Sequence, residues 1–141
     1  MTRYGRSRFI AFGLLPALNA AALLIYGLHL ATAAASGGAG RSLPVLIALA
    51  IFCLLMAMAA AVKRGRDVGW PWWATLLAFW FGLSTAFLFP VLIGYFAFAE
   101  SKPKAEQFGP ACPPADVFTW SWAVMNLIWP WVVLAFLAKV L

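Results

Sequence analysis

Four apolar stretches occupy almost the whole chain, Phe9 to Ala35, Leu43 to Val62, Trp70 to Ala99 and Val117 to Val140, separated by short polar or glycine-rich breaks. Each supplies the roughly 17–25 residues that a helix needs to cross a bilayer. In lipid, every backbone N–H and C=O must be satisfied within the protein, and these runs are too long and too evenly apolar for barrel strands. The pattern predicts an all-α fold: a small polytopic transmembrane helical bundle of four spans, forming one membrane domain over residues 1–141.

The third stretch fits least well, because 30 residues of helix measure about 45 Å against a hydrocarbon core of about 30 Å. Pro90 removes a backbone donor, and Gly82 and Gly94 loosen the neighbouring turns. The first expectation is one kinked, tilted crossing. A re-entrant hairpin competes with it and would bring Lys102 and Lys104 back to the cytoplasmic side.

Tryptophan marks the interfaces, since an indole has an apolar body and a polar N–H suited to the headgroup zone. Trp70, Trp72 and Trp73 open the third stretch, with Pro71 suited to a first helical turn, and Trp120 and Trp122 open the fourth. Trp129 and Trp131 flank Pro130 too deep for such a belt.

Composition agrees with this class: 65% hydrophobic and 10% charged residues leave too little polar surface to cover a water-soluble globule. Lysines and arginines resist translocation, so Arg3, Arg6, Arg8, Lys63, Arg64 and Arg66 are expected on the cytoplasmic side. With four spans, both termini are then cytoplasmic. The arginines followed by an apolar run resemble a secretory signal, but the run of 27 residues far exceeds a signal core of roughly 7–15, so an uncleaved first span is expected. The net charge of +6 follows the membrane-flanking loops. It points to anionic lipid headgroups as partner and not to nucleic acid.

Two polar faces interrupt the apolar surface. Trp122, Asn126, Trp129, Val133 and Phe136 share one face of the fourth stretch. An aromatic face with one amide suits a quinone, a pigment or a lipid tail, which makes Asn126 and Trp129 candidate cofactor-binding residues. Helix packing accounts for the same stripe and is preferred, with Asn126 hydrogen-bonding across helices. On the first stretch Asn19, Tyr26 and His29 project within one sector. His29, the sole histidine of the sequence, is a candidate ligand or proton relay, but one histidine cannot build an ordinary multi-ligand metal site, so no metal or cofactor is expected. Cys53 and Cys112 lack the spacing of a metal or redox motif.

The chain shows no nucleophile elbow, no paired-histidine zinc helix and no phosphate-cradling glycine loop. Its candidate acids and bases are separated by the membrane or balanced by neighbouring lysines. The protein is expected not to be an enzyme.

Three short motifs carry a family resemblance. Tyr4-Gly5-Arg6-Ser7-Arg8-Phe9 resembles the Gly-Arg-x-x-Arg opening of the YhaH-like bacterial inner-membrane proteins, the group catalogued as domain of unknown function 805. Lys63-Arg64-Gly65-Arg66-Asp67-Val68-Gly69 followed by Trp73 is similar to their Arg-Arg-Leu-His-Asp-x-Gly segment with its downstream tryptophan, and Glu106-Gln107-Phe108-Gly109-Pro110 to their Asn-Arg-Phe-Gly-Pro. The matches come in order over residues 5–113, leaving the fourth stretch beyond them. Arg66 stands where the family has histidine, and arginine cannot exchange a proton near neutral pH.

The resemblance implies a bacterial inner-membrane location and carries no activity to transfer. Physically, the Lys63–Gly69 turn is expected to pair Asp67 with Arg6 or Arg8, with Arg64 beside them, as a structural clasp joining the first three stretches. The functional expectation is a structural or accessory subunit packing against other membrane proteins or itself. The alternative is a small-molecule, lipid or cofactor (quinone or pigment) binder, or a transporter-like protein.

Overall fold

The computed structural model describes residues 5–34, 42–100 and 116–140. A short helix α1 (Arg6–Phe9) runs through a π-helical turn (Ile10–Leu14) into α2 (Leu15–Ala34) as one rod. The π turn sits just before Pro16, whose missing N–H would otherwise reach the carbonyl of Phe12. A widened turn is a common way for a helix to absorb that loss.

α3 (Leu43–Val68) returns antiparallel to α2: a side chain at Gly13 would meet Ala60, and one at Gly27 would meet Leu46. Its buried stripe of Ala50, Cys53, Ala57, Ala60 and Ala61 follows three-and-four spacing, which lets two backbones approach closely. The helix ends at Gly69, φ 91°, where Gly69 N–H bonds the Arg66 carbonyl at 3.1 Å and Trp70 N–H bonds the Gly65 carbonyl at 2.7 Å. This is a Schellman cap, and its left-handed residue favours glycine. The expected loop Lys63–Gly69 is therefore corrected: its charged residues form the last turns of α3.

The third apolar stretch doubles back. α4 (Trp72–Thr85) and α5 (Leu88–Phe98) measure about 21 and 17 Å, each short of a hydrocarbon core of about 30 Å. Ring contacts pair Phe79 with Phe89 at 5.2 Å and Trp70 with Phe96 at 5.5 Å, so the end of α5 returns to the start of α4. The single kinked crossing gives way to the hairpin for a local reason. Pro90 is the third residue of α5, where its missing N–H costs nothing, so it helps start a helix instead of bending one. The reversal passes through Ala86 at φ 51°.

α6 (Val117–Val140) lies alongside α2 and runs in the same direction. Its Asp116 end is near Arg8, Asn126 meets Asn19, and Trp131 meets Tyr26. The all-α bundle is as expected, but three helices, α1–α2, α3 and α6, are long and apolar enough to cross a membrane. The expected four spans with both termini cytoplasmic become three long helices and a hairpin, with the end of α6 opposite Arg6.

Candidate functional site

The densest polar chemistry lies where α3 ends beside α5. Arg64 is completely buried and its side chain reaches three acceptors. Nε donates to the Phe96 carbonyl at 2.8 Å, Nη1 to the Asp67 carboxylate and Nη2 to the Ala99 carbonyl. The last carbonyls of a helix have no partner within it, and a cation favours that end of the helix dipole. Arg64 therefore caps α5 and neutralises Asp67 with one planar fork, a geometry that lysine does not offer.

Asp67, one turn further along α3, keeps only 6% of its side chain exposed. Arg6 adds a bond from Nε to the Ala99 carbonyl at 3.2 Å and a solvent-exposed approach to Glu100 at 3.8 Å, worth little by itself. Arg8 sits half-buried on α1. The expected clasp residues thus gather at one end of the bundle, but Arg64 holds its centre and the backbone end of α5 is what it grips. Thr75 completes the corner. It is buried against Gly65, where an added methyl carbon would stand 2.2 Å from the threonine hydroxyl.

A second centre joins α2 to α6 in mid-span. Pro130 has no N–H for the Asn126 carbonyl four residues earlier, and Asn19 supplies the missing donor through Nδ2 at 2.9 Å. Trp131 Nε1 closes on Asn19 Oδ1 at 2.7 Å. The Asn126 side chain stays on its own helix, donating to the Trp122 carbonyl at 3.0 Å and accepting from Trp129 Nε1 at 3.1 Å. Asn126 does bond across helices, but through its backbone carbonyl and not through its amide.

Beside this network an open groove of about 430 Å³ is lined by Phe52, Met56, Trp122, Met125, Asn126 and Trp129. It unites two of the three candidate cofactor residues. His29 does not join them: it is exposed on α2, ten residues and about 15 Å beyond Asn19. Among the described residues no three histidine, cysteine or carboxylate side chains gather as metal ligands.

Outside the spans, Asp116 caps α6. Its Oδ1 accepts from the Thr119 N–H and hydroxyl, each at 2.9 Å, and these bonds hold the carboxyl below the usual carboxylate range. The Glu106–Pro110 motif, Lys102, Lys104 and Cys112 lie outside the described residues.

Sequence reasoning missed Asn19 as the donor that repairs α6, though Pro130 four residues after Asn126 is a readable signal of an orphaned carbonyl. It also missed the Phe96 and Ala99 carbonyls. Backbone acceptors carry no residue signature.

A bundle of long apolar helices pinned at one end by a buried arginine defines a small multi-pass helical membrane protein. The chain matches the family model described as "Protein of unknown function (DUF805)" over residues 1–110 and belongs to that family. The match includes the Arg64 cap, while α6 lies beyond it. No curated protein and no solved structure matches the chain.

Proposed function

We propose that this protein is an accessory subunit of the bacterial inner membrane, acting through association within the bilayer and not through reaction chemistry. The observation that carries this reading is how its buried polar groups are used. Among the buried polar groups, Asn19 ties α2 to α6, Arg64 caps α5 and pairs with Asp67, Thr119 joins the Asp116 cap of α6, and Thr75 and Asn126 bond carbonyls one turn back on their own helices.

α6 supports the same reading. It is less buried in the bundle than the first span, and Phe118, Trp122, Met125 and Phe136 form an exposed stripe beyond the region shared with the family. Aromatic stripes of this kind contact neighbouring transmembrane helices or lipid, and this one is assigned to a helix of a partner. The basic residues Arg6, Arg8, Lys63, Arg64 and Arg66 favour a cytoplasmic position for the end of the bundle that carries Arg6.

Extraction in mild detergent after in-membrane cross-linking tests the proposal. The expected result is a stoichiometric membrane protein partner, or a second copy, cross-linked through α6 and lost when Trp122 and Met125 are replaced by alanine. A monomer that carries a stoichiometric quinone, pigment or lipid would favour the second reading, for which the groove beside Trp129 is the supporting feature.

A further inference from the structure

Lys63 and Arg66 flank the buried Arg64 on α3 and are themselves half-buried. One turn apart on α3, they share a stripe with Ala59 and Val62, and this stripe forms one wall of a groove of about 300 Å³. Trp72 and Leu76, one turn apart on α4, form the other wall. Because α3 runs toward the Gly69 turn and α4 runs away from it, both walls change character at the same depth. Ala59 and Leu76 lie deep, while Arg66 and Trp72 lie near the turn, with Ala59 and Arg66 separated by about 10 Å along the helix axis.

We propose that this groove is a binding site for one anionic phospholipid. The phosphate takes the cationic end, an acyl chain follows Val62, Ala59 and Leu76, and the Trp72 indole lies at headgroup level. The lining holds two cations and no carboxylate. Lysine ammonium and arginine guanidinium each carry several N–H donors and a positive charge, and a phosphate diester offers acceptor oxygens and the complementary charge to both. The polarity gradient along the groove is that of a lipid. A soluble anion would leave the apolar two-thirds of the lining unused. This site places Arg66, at the position of the family histidine, in lipid recognition, and it does not depend on the subunit reading above.

The test reconstitutes the full chain in phosphatidylcholine vesicles and compares the association of spin-labelled phosphatidylglycerol with that of spin-labelled phosphatidylcholine. Wild type is expected to prefer the anionic lipid by about thirtyfold, the order set by two well-placed cations. Lys63→Gln/Arg66→Gln abolishes the preference and Arg66→Lys keeps most of it. A second measurement does not require the double variant to fold. Phosphatidylglycerol brominated on its acyl chain should quench a fraction of the tryptophan emission that is missing from Trp72→Phe. An unchanged preference in the double variant, equal quenching of wild type and Trp72→Phe, or full displacement of the lipid by millimolar inorganic phosphate would each overturn the proposal.

Discussion

Arg64→Ala removes the cation from a carboxylate that is itself almost completely buried and withdraws the donors from the Phe96 and Ala99 carbonyls. Breaking a buried ion pair by deleting one partner costs about 3–5 kcal/mol, because the survivor stays desolvated and loses the charge paired with it. Each carbonyl left unpaired costs about 1–3 kcal/mol more where water cannot reach it. These effects share one side chain and do not add fully, so the expected loss is about 4 kcal/mol, a large part of the roughly 5–15 kcal/mol that holds a domain together. Asp67→Asn retains an acceptor but loses the charge, so a smaller loss of about 1–3 kcal/mol is expected. Equilibrium unfolding in mixed micelles, titrated with a denaturing detergent, measures both. The milder variant keeps the series readable if Arg64→Ala does not fold. Losses below about 0.5 kcal/mol in both variants, the level of an ordinary surface substitution, would refute the cap.

Three further outcomes follow from the geometry. Asn19→Leu should cost about 2 kcal/mol in the same assay, and Pro130→Ala should recover part of it by restoring the N–H that the Asn126 carbonyl lacks; a strictly additive double variant would contradict the repair. Gly65→Ala should destabilise by about 2 kcal/mol through its collision with Thr75, with Thr75→Ala relieving most of the loss, and equal losses with either residue at position 75 would contradict the close approach. The Asp116 carboxyl is held low by its Thr119 bonds, so its contribution is present above the unfolded-state pKa and is lost as pH falls through the folded-state value. Protection of the amides at the start of α6, taken relative to intrinsic exchange at each pH, should therefore fall toward acid in wild type and be low throughout, with no acid-dependent step, in Asp116→Ala.

The class of the fold and three of its helices were legible because apolar runs of this length have few other uses, and Trp70 and Pro71 marked the start of α4 within two residues. The hairpin was not legible as first choice. Pro90 acts as a kink or as a starter according to its place in the turn, and that place is set by a reversal at Ala86, a residue without the glycine signature of positive φ. The last turns of α3 were hidden for a related reason: a run of four charged residues in seven reads as a loop until two of them are seen to cancel inside the bundle. Asn126 and Trp129 share a hydrogen bond on α6, and the donor-acceptor demand of Pro130 links them to Asn19 of α2, a link that spacing along α6 alone does not reveal.

Residues 70–99 fold back, so that α6 runs parallel to α2. In a Cys53→Ala/Cys112→Ala background, single cysteines at Ser7, Glu100 and Lys139 can be tested in sealed vesicles with a membrane-impermeant thiol reagent. Ser7→Cys and Glu100→Cys are expected to label from one side and Lys139→Cys from the other. Glu100→Cys labelling from the side opposite Ser7→Cys, with Lys139→Cys on the same side as Ser7→Cys, would restore the four-crossing bundle and contradict the fold-back.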